Sequence, residues 1–384
     1  MRSCFYIPRF LVPVKERTQW SAVACDRYVN ERSYWEQQAS LRGPIPSALN
    51  LILPEAILKN GDDEELERIR EEMYAALEGG MLEKLLRGWV LVERKIGSRV
   101  RRGIVAAIDL EAFAFGGGEG QVRSLQSAPE ELIRAYLKQR EGAPLEMSHA
   151  VALYDDSKNK TMNALLKEDL EELYDYPTDT GSVKGYFIPN ELAEALEDSL
   201  LARAESFFML EGVAASEAAK LHWKKVKASL SKGEMSRHPA RFMLVELMNA
   251  SDDAVELQAV HRLVKETERD AFLDYFAKQF KCERAGSVLT PKLAFSGENI
   301  RQVDAAIERF LKADGGRVAY IHGEERLKKF ALESDCAGVL MPKPKKDALL
   351  KELKGGALLP AYSVCLGGAE GARYYVETRE ISYD

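Results

Sequence analysis

The sequence predicts an α/β protein of mixed α+β type, built in two parts. Hydrophobic periodicity switches along the whole chain between the two-residue repeat of strands and the 3.6-residue repeat of helices. The last hundred residues read as strand, helix, strand, and most apolar runs stop at glycine or proline. A chain of 384 residues exceeds one small core, which predicts two cores or three.

In chain order, 48–53 (Ala-Leu-Asn-Leu-Ile-Leu, closed by Pro54) reads as a buried strand. Leu66, Ile69, Met73 and Leu77 then share one face of a helix ended by Gly79-Gly80. Residues 89–94 and 102–110 read as antiparallel strands joined through Lys95-Ile96-Gly97-Ser98. A strand at 150–154 ends in Asp155-Asp156, and Phe207-Phe208-Met209-Leu210 leads through Glu211-Gly212-Val213-Ala214-Ala215 to a helix from near Ser216. Residues 242–248 are an apolar run, and 255–260 read as a strand. Val303, Ile307, Phe310 and Leu311 mark a helix stopped by Gly315-Gly316. Strand 317–321, helix 324–333 and strand 337–341, closed by Pro342, then read as a right-handed βαβ crossover, followed by a helix at 345–353 and a terminal strand at 373–381. The charged stretch 278–287 sets the expected boundary between a first domain, 1–275, and a smaller C-terminal domain, 286–384.

Composition narrows the function classes. With 46% hydrophobic and 30% charged residues, the chain reads as folded and soluble. No apolar run approaches bilayer length, and Pro8 and Arg9 break the apolar start, so neither a membrane partner nor a secretion signal is expected. Five cysteines, scattered and odd in number, fit free thiols in a reducing cytoplasm, and without a Cys-x-x-Cys pair no metal site is expected. A net charge of -7 argues against a nucleic-acid partner. Lys224, Lys225, Lys227 and Lys232 surround Trp223, Val226 and Leu230, as on a solvated helix face, and Lys343-Pro344-Lys345-Lys346 is a short loop.

A strand-to-helix turn offers backbone N–H groups and a positive dipole end to a ligand, yet at 211–215 the sole ionisable side chain is Glu211. Gly116-Gly117-Gly118-Glu119-Gly120 matches neither dinucleotide nor P-loop spacing and reads as a loop. Asp155-Asp156 forms either a Mg²⁺ site or, with Ser157-Lys158-Asn159, a turn. His149 near Glu146 is an acid/base pair or a structural histidine. His261-Arg262 suits an anion clamp, and Pro239 biases His238 to an extended conformation ahead of Arg241.

Seven segments in order carry a resemblance: Ala24-Cys25-Asp26-Arg27-Tyr28 with Tyr34-Trp35-Glu36, Pro46 through Glu55, Arg101-Arg102-Gly103, Ala143-Pro144-Leu145-Glu146, His238-Pro239-Ala240-Arg241, His261-Arg262 and Tyr320-Ile321-His322-Gly323. Together they resemble the domain of unknown function 1015 family from about residue 5 to residue 381. The resemblance implies, by analogy with the ParB and sulfiredoxin superfamily, a ParB-like first domain, nucleotide binding with Mg²⁺, and phosphate transfer to a small hydroxy amino acid such as serine. The chain departs from that pattern. The family's Asp-Gly-Asn-His loop falls on Glu211-Gly212-Val213-Ala214, its Arg-Ala-Thr-Glu run on Arg123-Ser124-Leu125-Gln126, and its Pro-Arg-Lys-Thr run on Pro360-Ala361-Tyr362-Ser363. Basic positions become Leu132 and Tyr136. Asp26, Glu55, Arg123, Arg140, His149, Arg241, His261 and Arg262 are retained.

The expected role is therefore a non-catalytic, degenerate paralogue, with no assigned cofactor, that binds a small anionic ligand or a partner protein. Asp26, Arg123, Arg140, His149, Arg241, His261 and Arg262 are the candidate ligand residues, with a cationic pocket expected around Arg241, His261 and Arg262. The alternative is an active, kinase-like phosphotransferase acting on a small hydroxy amino acid such as serine, with Glu211 or His261 as catalytic candidates, and the third reading is a purely structural interaction subunit.

Overall fold

The computed structural model describes residues 3–14, 19–58, 63–114, 118, 120–367 and 370–382. The chain is a mixed α/β protein and divides into two compact units. The first holds residues 1–124, 128–255 and 372–384, and the second holds 125–127 and 256–371.

An eleven-stranded mixed sheet organises the first unit. Its long hairpin, Leu82–Ile96 with Arg99–Asp109, turns at Gly97 with φ +58, and side chains alternate between two cores as the pleat requires. Val90, Val92, Val105 and Ala107 pack with Trp35, Leu66, Ile69 and Met73 on one face. Trp89, Leu91, Ile104 and Ala106 pack with Leu196 and Leu200 of helix Asn190–Arg203 on the other. Burial on both faces is why Phe242–Asn249, beside the hairpin, is apolar almost throughout. Strand Val151–Tyr154 pairs parallel to it and antiparallel to Phe207–Glu211. Helix Asp63–Glu78 has acidic residues in its first turn, buries Leu66, Ile69, Met73 and Ala76, and is followed by Gly80 at φ +62.

The six-stranded sheet of the second unit centres on Leu257–Lys265. Strands Arg317–His322 and Ala337–Val339 both run antiparallel to it, on opposite sides. The expected crossover is thus split, its two parallel strands separated by Leu257–Lys265. Val264 packs with Phe272, Phe276, Val303 and Phe310 under helices Arg269–Gln279 and Gly297–Asp314, while Leu263, Ala319 and Ile321 pack with Leu327 of Glu324–Phe330.

Four readings change. Residues 48–51 form a 3-10 turn instead of a strand, because Ser47 and Asn50 cap one another: the Ser47 N–H donates to Asn50 Oδ1 at 3.0 Å. Residues 373–381 give two two-residue strands, Tyr374–Tyr375 and Arg379–Glu380, within the first unit. The helix expected from Ser216 begins at Val213. The 278–287 stretch contains strand Cys282–Ala285 of a hairpin inside the second unit, and the division between units falls after Val255.

Candidate functional site

The segment 24–28, the junction at 211–213, helix Glu130–Arg140 and the C-terminal residues 373–381 meet in the first unit. The Ala24 N–H donates to the Arg373 carbonyl at 2.9 Å, and the Glu55 N–H to the Cys25 carbonyl at 3.0 Å. Arg27, fully buried, pairs with Glu211 and also reaches Asp26 at 3.4 Å. Gly212 follows in a left-handed conformation, φ +66 and ψ 23, and a Cβ there would lie 2.8 Å from Ala150 Cα. The first turn of helix Val213–Lys227 then buries Val213, Ala214 and Ser216. The junction presents no accessible carboxylate, since Glu211 is 4% exposed.

Beside it lies a cavity of about 70 Å³ whose wall includes Cys25, Tyr136, Arg140, Glu146, His149 and Tyr375. One direction of donation satisfies the polar groups in turn. His149 Nδ1–H donates to the Tyr375 hydroxyl (2.9 Å), Tyr375 to Cys25 Sγ (2.9 Å), the Cys25 thiol to the Tyr136 hydroxyl (3.2 Å), and Tyr136 to Glu55 Oε1 (2.8 Å). Burial raises the Cys25 thiol pKa, with Glu55 and Asp26 adding to the rise, and burial lowers that of His149 against the pull of Asp26. Thiol and imidazole therefore rest neutral, a structural relay instead of a nucleophilic ion pair.

Arg140 closes another side of the cavity. Its Nη1 pairs with Glu146, which also accepts from Arg379 Nε at 3.0 Å and from the Leu244 N–H at 2.7 Å. Burial alone would raise the Glu146 carboxyl, but Arg140 and Arg379 hold it below its ordinary value. Two guanidinium cations thus share one carboxylate. Arg140 Nε and Nη2, the side-on fork of the guanidinium, are buried without an acceptor among the described residues.

The other expected ligand residues are engaged elsewhere. Arg123 donates to Ser206 Oγ at 3.0 Å and lies over the Phe208 ring. Arg241, in the first unit, grips Asp109 through Nε at 2.9 Å and Nη2 at 2.5 Å. Arg262, in the second unit, grips Asp304 at 2.8 and 2.9 Å and donates to the Val260 and Tyr362 carbonyls, both at 2.7 Å. His261, the preceding residue of the same strand, accepts from the Met341 N–H at 3.2 Å, and burial lowers its pKa to about 4. The expected anion clamp is corrected accordingly: Arg241 and Arg262 each hold an internal carboxylate, and His261 is a buried acceptor. Glu146 bonds to arginines instead of His149, and His238 Nδ1 caps the turn that follows by accepting from the Ala240 N–H.

Asp156 Oδ2 accepts from the Thr161 N–H at 2.9 Å and Asp155 Oδ1 from Ser251 at 2.8 Å, and the Asn159 N–H donates to the Asp156 carbonyl at 2.8 Å, which closes a turn over 156–159. In the second unit Gln126 Oε1 accepts from the Ser363 and Val364 N–H groups, and Tyr362 stacks on Tyr320 with centroids 4.1 Å apart. Residues 116, 117 and 119 of the glycine-rich stretch lie outside the described residues. Glu333, Asp335 and Cys336 are close enough to share a cation, with both carboxylates exposed and nothing further pointing to one. Arg27 and Tyr375 were absent from the candidates. Arg27 had a signal, its place in the 24–28 segment, whereas Tyr375 comes from a distant part of the chain with no motif.

The family described as protein of unknown function (DUF1015) matches residues 8–346, and the chain belongs to it. No curated protein matches the sequence. Among solved structures it is similar to a conserved hypothetical protein from Pyrococcus furiosus, at 9% identity and TM-score 0.39 over 75% of this chain and 98% of that one. A free serine kinase in complex with AMP gives 9% identity and TM-score 0.39 over 75% and 95%. SbnI with a C-terminal truncation, from Staphylococcus aureus, gives 6% and 0.35 over 71% and 82%. Likenesses of this order carry no inference about activity. Among the described residues no helix is long and apolar enough to cross a membrane.

Proposed function

We propose that this DUF1015 member is a degenerate, non-catalytic paralogue of a ParB-like, nucleotide-dependent phosphotransferase group, and that it takes up a small anion in the cavity beside Arg140. The observation that carries the reading is the side-on fork of Arg140, two buried N–H donors without an acceptor among the described residues, on a side chain that lines a cavity of about 70 Å³. A buried unsatisfied donor costs about 1–3 kcal/mol, so an anion that accepts from both offsets a standing penalty and adds charge-assisted hydrogen bonds. The volume suits a few waters, phosphate or acetate, and is small for a nucleotide. Against catalysis stands Glu211. Phosphoryl transfer relies on cations and positioned carboxylates around the phosphate, and Glu211 is buried against Arg27.

Calorimetric titration with phosphate, acetate, phosphoserine, AMP and ADP tests this. Phosphate or acetate should bind, Arg140→Lys should weaken binding by about tenfold through loss of the fork, and Arg140→Met should remove it. Phosphorus NMR with Mg²⁺, ATP or ADP and serine should show background only. Turnover above roughly 0.1 s⁻¹ supports the active phosphotransferase instead. Failure of every ligand to bind supports the structural subunit.

A further inference from the structure

The segments around Tyr34-Trp35-Glu36 and Pro46 through Glu55, prominent in the sequence, line the Arg140 cavity only through Leu51 and Ile52, with Glu55 behind the wall as acceptor from Tyr136. They converge on a second and larger cavity in the first unit, of about 230 Å³. Helix Arg32–Arg42 supplies Trp35 and Arg42, the turn and its continuation supply Leu49 and Leu53, and Ile57 and Arg68 add to the wall. Trp35 is 3% exposed, and its indole Nε1–H is buried without an acceptor among the described residues. Arg42 is held in place by hydrogen bonds from Nη2 to the Ser21 carbonyl at 2.8 Å and from Nη1 to Gln38 Oε1 at 2.9 Å. The lining acids are Glu36 and Glu65, and Glu36 is neutralised by Arg32 at 3.1 Å on the exposed side of its helix.

We propose that this cavity binds a small monocarboxylic acid with an apolar body. A buried donor that lacks an acceptor favours a ligand oxygen over an apolar filler, and Arg42 and Arg68 favour an anionic oxygen over a neutral one. Leu49, Leu53 and Ile57 reward an aliphatic or aromatic body and discriminate against a bare phosphate, which would leave apolar wall uncovered. The arrangement of an apolar wall with a few convergent polar groups is that of a ligand pocket, and its volume lies just below the usual range of about 300–1,000 Å³. This site shares the apolar residue Ile52 with the wall of the Arg140 cavity and takes none of its charged or hydrogen-bonding groups from it.

Hexanoate and phenylacetate are the probes, with hexanamide and hexylamine as the uncharged and cationic counterparts, titrated by calorimetry into the full-length protein. The two acids should bind with Kd of about 1 mM or tighter, and at least about tenfold more tightly than the amide or amine. Trp35→Phe keeps the ring and removes the donor, and should weaken hexanoate by about fivefold to tenfold. Ala39→Phe, at an exposed lining position of the helix, should fill the cavity and abolish binding without touching the core. Arg140→Met should leave hexanoate affinity unchanged, which separates this site from the phosphate site. The proposal is overturned if neither acid binds at millimolar concentration, if the amide or amine binds as well as the acids, if Ala39→Phe binds like the parent, or if Arg140→Met abolishes hexanoate binding.

Discussion

Two strand-to-helix junctions in this protein use the same local device and end in opposite situations. Phe207–Glu211 passes through Gly212 into Val213–Lys227, and Arg317–His322 passes through Gly323 into Glu324–Phe330. Both glycines have positive φ, +66 and +95. A Cβ on Gly212 would meet Ala150, whereas one on Gly323 meets nothing within 4 Å. Before the first glycine stands Glu211, buried against Arg27; after the second stand Glu324 and Glu325, exposed and both within reach of Lys328. Acidic side chains complement the positive end of a helix, so the second junction is satisfied by its own sequence. The first is completed by an arginine from 184 residues away. The lesson is that a glycine turn before a helix is a neutral frame, and packing around it decides whether it is a buried structural joint or a solvated one.

The largest test of that contrast is charge removal. Glu211→Ala should destabilise by about 3–5 kcal/mol, because it removes the carboxylate paired with the buried Arg27 cation. Glu324→Ala, in an exposed i,i+4 pair, should change stability by less than about 0.5 kcal/mol. Guanidinium unfolding of both variants measures the difference, and similar losses would show that burial does not separate the two joints.

Acid comes next. His261 sits opposite Ile321, one residue before the end of the strand that feeds the second junction, and burial lowers its pKa to about 4. A histidine is ordinarily half-protonated near 6.5 when unfolded. Above that pH both states are neutral and the contribution to stability is complete. Between about 6.5 and 4 the unfolded chain binds a proton that the folded chain refuses, so stability falls by on the order of 3 kcal/mol. His149, next to Ala150 at the first junction, is lowered in the same direction by burial. His261→Gln, which retains an acceptor for the Met341 N–H, should flatten part of the loss in unfolding curves recorded at pH 7 and pH 5. An unchanged profile would remove His261 as a source of acid sensitivity.

The smallest effect concerns the glycines themselves. Gly212→Ala should cost about 2–3 kcal/mol, since the left-handed backbone disfavours alanine and Ala150 must also move, and Gly323→Ala about 1–3 kcal/mol for its positive-φ backbone alone, φ +95 with ψ 134 lying outside the left-handed helical well. Thermal unfolding of the two variants reads both costs, and a Gly212→Ala cost of about 1 kcal/mol or less would mean that the crowding at Gly212 relaxes freely.

Where local rules act alone, the sequence was readable. The hairpin followed from alternation on either side of Gly97, and helix Asp63–Glu78 from the spacing of Leu66, Ile69 and Met73. Residues 48–53 misled because a short apolar run closed by proline serves a strand or a turn equally, and the reciprocal Ser47 and Asn50 cap tipped it to a turn. Of the candidate site, Arg140 and His149 border one cavity, whereas Arg241 and Arg262 hold internal carboxylates. No spacing rule distinguishes these four, because each is one cation or imidazole in an otherwise ordinary stretch.

By itself the sequence determined the elements, since periodicity, caps and glycine turns are set by neighbours a few residues apart. Tertiary structure alone decided which charges are fully engaged and which keep unused donors. A buried ion must find its counter-ion wherever the chain brings one: Arg27 in Glu211, Arg373 in Glu246, Arg262 in Asp304. Arg140 has a carboxylate on one side of its guanidinium and, among the described residues, no acceptor on the other, an asymmetry that exists only once helix Glu130–Arg140, Glu146 and Arg379 have packed together.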